Sequence, residues 1–187
     1  MPYRCEKIAE NNYYHIYNRG NNRQNIFFSD RNFEFFVRRL FEYTDCNSEI
    51  VAYCLMPNHF HLLVKIIDSE KFASSIKNFF ISYSKAINSE RSRTGHLFEG
   101  RYKCKFVPED NYLLHLSRYI HLNPVRAGLA AKPKNWKYSS YRHYVGLERC
   151  DYVHSEIVLD QVADYKSFVE SFQEDQCFYI KDLLFKD

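Results

Sequence analysis

The stretch IVAYCLMPNHFHLLVKII, residues Ile50 to Ile67, decides how this chain folds. Ile50 to Met56 is a short apolar run, Pro57-Asn58 breaks it, and His59 to Ile67 resumes it. The pattern predicts two strands joined as a hairpin around Pro57-Asn58. Alternation in the second strand puts His59, His61, Leu63 and Lys65 on one face and Phe60, Leu62, Val64 and Ile66 on the other. The second set is wholly apolar and should pack on helices. The first carries a lysine and is expected to be the more solvent-facing side. Both imidazoles then reach one point. Neutral imidazole is a good ligand for divalent metals, and two such ligands leave room for water and substrate oxygen. Taken alone, a His-x-His pair is also what any strand with two polar residues looks like.

Working outward, Tyr13 to Asn18 is aromatic and β-prone and runs into the turn-rich Arg19-Gly20-Asn21-Asn22. After a plausible N-cap at Ser29-Asp30, Phe33, Phe36, Val37 and Leu40 recur at helical spacing, as do Phe72, Ile76, Phe79, Phe80, Tyr83 and Ile87. Arg91 to Gly100 reads as a loop and Tyr102 to Val107 as a strand. Pro108-Glu109 opens a further helix, Glu109 to Leu122, which Pro124 is expected to end. The order strand, helix, strand, strand, helix, strand, helix predicts an α+β fold. Its sheet is antiparallel and ferredoxin-like, with helices on one face and the last helix near the other. The region after Ala130, with Trp136 and Tyr138 to Tyr144, reads as irregular.

On the last helix, Leu113, Leu116 and Ile120 form a core stripe, and Tyr112, Tyr119 and Asn123 line its edge. Tyr119 and Asn123 are one turn apart and face the same way. A helix lying along the open sheet face could offer Asn123 as a third, oxygen-type ligand, with Tyr119 in reach of the same ion. Equally, Tyr119 reads as a boundary aromatic and Asn123 as a helix-ending residue before Pro124. With 16 tyrosines in the chain, spacing does not single one out as a nucleophile.

The 187 residues fit one domain with an appended tail, and 45% hydrophobic residues suffice for a core. No apolar run approaches the roughly eighteen residues of a membrane span, and the polar start argues against a secretory signal. Cys5, Cys46, Cys54, Cys104, Cys150 and Cys177 include no Cys-x-x-Cys pair, which reads as reduced cytosolic thiols and argues against structural zinc. The net charge of +3 hides an asymmetry: residues 85–142 carry 12 Lys and Arg against 4 Asp and Glu, whereas residues 148–187 carry 4 against 10. A basic middle suggests a polyanion-binding surface, although solvated helix faces would look the same. Arg91, Arg93, Arg101, Lys103, Lys105, Arg118, Arg126 and Arg142 are candidate phosphate contacts, and Phe98, Tyr102, Trp136 and Tyr141 candidate stacking platforms for unpaired bases. Arg118 and Arg126 flank Tyr119 and would favour its phenolate, a form otherwise rare at neutral pH for a phenol with a pKa of about 10.

MPNHFHLLV (Met56 to Val64), RTGHLFEGRYK (Arg93 to Lys103) and RYIHLNPVRAG (Arg118 to Gly128) together resemble the single-tyrosine HUH transposases of bacterial insertion sequences, especially the REP-associated tyrosine transposases. The likeness covers about Tyr13 to Tyr144. It implies that His59 and His61 are paired metal ligands, Asn123 the remaining protein ligand and Tyr119 the nucleophile. It implies Mg2+ or Mn2+ as cofactor, single-stranded or hairpin DNA as partner, and a ferredoxin-like fold. The transposase domain would span residues 1–146, with 147–187 an acidic, partly helical tail. Such a protein would work in the bacterial cytoplasm at the nucleoid, as a homodimer or a monomer. A Gly-Thr-Trp found near the N-terminus in some of the REP-associated branch is missing, which leaves recognition of REP-type hairpins open. Two other readings keep the histidine pair: a replication initiator or relaxase, and a non-catalytic, domesticated nucleic-acid-binding module. A zinc hydrolase lacks a three-ligand pattern here.

Overall fold

A computed structural model of the chain describes residues 8–108 and 111–172. Alternating apolar side chains build four strands: β1 (Tyr13–Arg19), β2 (Ser48–Met56), β3 (His59–Ile66) and β4 (Lys103–Val107). They form one antiparallel sheet in the order β2-β3-β1-β4. The expected hairpin is present, with Met56 opposite His59. Proline at the first turn position excludes the mirror-image turns that two-residue hairpins favour. The tip is held from outside instead. The backbone N–H of Gly20 donates to the Asn58 carbonyl (2.8 Å), and those of Ile26 and Phe27 donate to the Pro57 carbonyl (2.8 and 3.0 Å). A Cβ on Gly20 would lie 1.9 Å from the Gln24 carbonyl oxygen, so this wrapping loop tolerates only glycine there.

Two helices, α1 (Asp30–Thr44) and α2 (Ser69–Glu90), cover the face that carries Phe60, Leu62 and Val64. Phe36 of α1 meets Phe60, Phe79 and Tyr83 at ring-centre distances of 5.2, 4.8 and 4.9 Å. Tyr83 is fully buried, yet its hydroxyl is satisfied by donating to the Ile26 carbonyl at 2.8 Å.

The helix α3 (Asn111–Arg126) crosses the opposite face, packing on β2 and β3. Leu113, Leu116 and Ile120 are its buried stripe, as the spacing predicts. Two expectations are corrected here. The histidine face is the more exposed one only at its ends: His59 and Lys65 are half-buried, whereas His61 and Leu63 between them are 0% exposed, because α3 lies over them. Pro124 does not end the helix, which continues to Arg126. A proline near a C-terminus removes only its own N–H, and the turn goes on with Ala127 donating to the Asn123 carbonyl (2.9 Å). Termination falls to Gly128 at φ +69°, whose N–H donates to Val125 while Leu129 donates to Pro124. The expected start at Glu109 lies outside the described residues.

The region that reads as irregular caps the outer edge of β2. Leu55 donates to the Tyr138 carbonyl and Ser140 to the Tyr53 carbonyl, so the edge strand is not left open. Three short helices follow, α4 (Tyr141–Tyr144), α5 (Glu156–Leu159) and α6 (Tyr165–Glu170). Val158, Tyr165 and Val169 are buried among them, and α5 and α6 rest on α3. No helix among the described residues is long and apolar enough to cross a membrane.

Candidate active site

His59 opens β3 directly after the hairpin tip and His61 follows on the same face. Their ring centres are 5.1 Å apart and nearly perpendicular, at 86°. A metal–nitrogen bond of about 2.1 Å puts the ring centres of two adjacent imidazole ligands roughly 5 Å apart, so this pair fits one shared divalent cation. Burial, reinforced by the neighbouring His15 and His59, holds the His61 pKa well below the ordinary histidine range. The ring is therefore neutral, the form that binds metal.

The aromatic ring of Tyr119 stands edge-on to His61, with centres 5.6 Å apart. The two residues come from β3 and α3, and only the α3 crossing brings them together. Asn123, one turn further along, donates its amide nitrogen to the Tyr119 carbonyl at 2.9 Å. That leaves its carbonyl oxygen as the atom with lone pairs suited to a hard cation. No group of three His, Cys, Asp or Glu side chains able to hold an ion occurs among the described residues. A cation site here draws on two imidazoles and an amide.

The sheet register extends the same face sideways. Tyr17 lies opposite His61, Arg19 opposite His59, Lys103 opposite Tyr17 and Lys105 opposite His15. The Lys103 and Lys105 ammonium groups sit 5.9 and 5.7 Å from the Tyr17 ring centre, so both cations border the histidine pair. The Arg126 guanidinium is 5.6 Å from the Tyr119 ring centre. Arg91 and Arg93 both lie over Phe28, at 4.8 and 6.0 Å, and Arg101 is exposed. Arg142 pairs with Glu148 at 3.0 Å and donates to the Lys134 carbonyl.

Arg118 departs from the expectation of a surface phosphate contact. It is 3% exposed, its guanidinium lies 4.2 Å from the Phe168 ring centre and 4.8 Å from that of Phe172, and it bonds to His115 at 2.8 Å. Next in sequence to Tyr119, it turns toward the C-terminal helices instead of the histidines. Phe98 and Tyr141 are likewise core residues, 7% and 1% exposed, and do not offer bases an open ring. Tyr102 and Trp136 are half-buried; the Trp136 indole donates to the Leu55 carbonyl at 2.9 Å.

Residues 8–123 match the family described as transposase, IS200 like. The chain belongs to the IS200-like transposase family. A Haemophilus influenzae protein described as a REP-associated tyrosine transposase is 26% identical over 110 residues, covering 54% of this chain and 62% of that relative. A solved structure of a REP-associated tyrosine transposase bound to a REP hairpin superposes with a TM-score of 0.64 at 15% identity, covering 82% of this chain and 97% of that one. The chain thus shares the α+β fold of that protein.

Two site neighbours in the IS200-like chain escape a reading by motif. His15 Nε2 lies 3.0 Å from His61 Nδ1, and Asn58 Oδ1 lies 2.6 Å from His59 Nδ1. Alternation in β1 groups Tyr13, His15 and Tyr17 on one face, a usable signal. Only the strand register, with His15 diagonal to His61, identifies the partner.

Proposed function

We propose that this IS200-like transposase nicks and rejoins single-stranded or hairpin DNA through a covalent link to Tyr119. The Tyr119 oxygen attacks the scissile phosphorus and gives up its proton to solvent. The bond from phosphorus to the 3′ oxygen breaks, and that oxygen takes up a proton. A 5′-phosphotyrosine and a free 3′-hydroxyl result. Attack by another 3′-hydroxyl reverses the step and restores Tyr119, so joining needs no nucleotide energy source. His59, His61 and the Asn123 carbonyl oxygen would hold Mg2+ or Mn2+, which supplies Lewis-acid polarisation of the phosphate. Arg126 favours the phenolate of Tyr119 through its positive charge. Lys103 and Lys105 draw the DNA backbone onto the same sheet face.

The observation that carries the reading is the edge-on approach of Tyr119 to His61 at 5.6 Å across the α3–β3 interface. The test uses single strands from the DNA flanking the coding sequence, labelled at the 3′ end. With Mn2+ the wild-type chain is expected to give a labelled protein band on denaturing gels. Chelator and the Tyr119→Phe substitution should each abolish it. A band that persists in Tyr119→Phe contradicts the nucleophile. DNA binding that ignores chelator and yields no band from the wild type favours the non-catalytic binding module.

A further inference from the structure

We propose that Asn58 and His15 are positioning residues, which fix His59 and His61 with hydrogen on Nδ1 and the lone pair on Nε2. The inference rests on the reading of the two histidines as cation ligands and adds what orients them.

The Asn58 amide has a defined orientation. Its nitrogen donates to the Arg23 carbonyl at 3.5 Å, so the atom 2.6 Å from His59 Nδ1 is the oxygen. An amide oxygen only accepts, and Nδ1 must therefore carry the hydrogen. In a neutral ring that leaves Nε2 as the basic nitrogen. His61 repeats the arrangement on the same face, with a partner from the neighbouring strand β1. It is fully buried, as is His15, and burial disfavours the doubly protonated ring. One hydrogen lies between His61 Nδ1 and His15 Nε2, 3.0 Å apart. With His61 as donor, its Nε2 is a ligand like that of His59. With His15 as donor, His61 carries its hydrogen on Nε2 and cannot bind a cation. Outer partners that fix the tautomer and orientation of a ligating imidazole are a recurrent device of metal sites. Here they come from β1 and from the hairpin tip clamped by the Gly20–Phe27 loop.

Mn2+ alone is the probe, titrated into the whole chain by calorimetry, with thermal melts as the folding control. His15→Phe and Asn58→Leu are each expected to weaken Mn2+ binding about 10- to 100-fold. His15→Gln and Asn58→Asp, which keep an acceptor, should recover most of the affinity, and a purely structural role would not separate the two classes. His59→Ala and His61→Ala calibrate loss of a ligand. Independently of any substitution, long-range 15N–1H spectra of the wild type should place hydrogen on Nδ1 of both His59 and His61. Undiminished affinity in both His15→Phe and Asn58→Leu, or hydrogen on Nε2 of either ring in a wild-type chain that still binds Mn2+, overturns the positioning roles and leaves the proposed function standing. Failure of the wild type to bind Mn2+ overturns the proposed function and takes this inference with it.

Discussion

Arg118 and Tyr119 adjoin in sequence but serve different sides of α3. Tyr119 meets His61, whereas Arg118 is stacked on Phe168 and Phe172. A desolvated guanidinium on an aromatic face contributes about 2 kcal/mol. Arg118→Ala should therefore lower the melting temperature by roughly 4–8 °C, and leave the salt dependence of DNA binding as it was. A shallower salt dependence with an unchanged melt would return Arg118 to the phosphate contacts. At this scale the sequence was informative about residue type and silent about direction. His59 and His61 declare a shared face by their spacing. For Arg118 or Phe98, nothing local distinguishes a surface cation or open ring from one claimed by a distant segment.

At the scale of elements, α3 is the connector between the sheet and the C-terminal helices. One of its faces covers His61 and Leu63. On another, the Tyr165 hydroxyl bonds to Ser117 Oγ at 2.9 Å and His121 Nδ1 at 2.7 Å, and His121 Nε2 bonds to Ser140 Oγ at 2.8 Å. All four side chains are buried. Tyr165→Phe leaves two buried polar groups short of a partner and should cost about 1–3 kcal/mol. The measurement is the urea midpoint at unchanged slope; a midpoint equal to wild type would mean that α6 does not brace α3. The core stripe of α3 was legible because its periodicity is local. Its extension past Pro124 was not, since the stop depends on Gly128 and not on the proline. The burial of His61 and Leu63 was also hidden, because a lone lysine at Lys65 does not reveal which helix crosses above them.

For the whole molecule, the order of elements sufficed to give the α+β sheet, and β2-β3-β1-β4 with two helices on one face follows from it. The C-terminal region resisted because its contacts are long-range: Ser139 bridges to Cys54, and Val153 to Ile50. Short helices such as α5 and α6 carry too few turns for a periodic signal. The result is a sheet with one face given to an aromatic core and the other to a histidine pair, a tyrosine and a border of lysines. That second face carries the central claim, and Tyr17 lies opposite His61 as a rival phenol. The direct measurement is to trap the covalent protein–DNA adduct in Mn2+, digest it and locate the modified residue by mass spectrometry. A nucleotide phosphate on Tyr119 is the expected result; its appearance on Tyr17 or on any other residue would contradict the account.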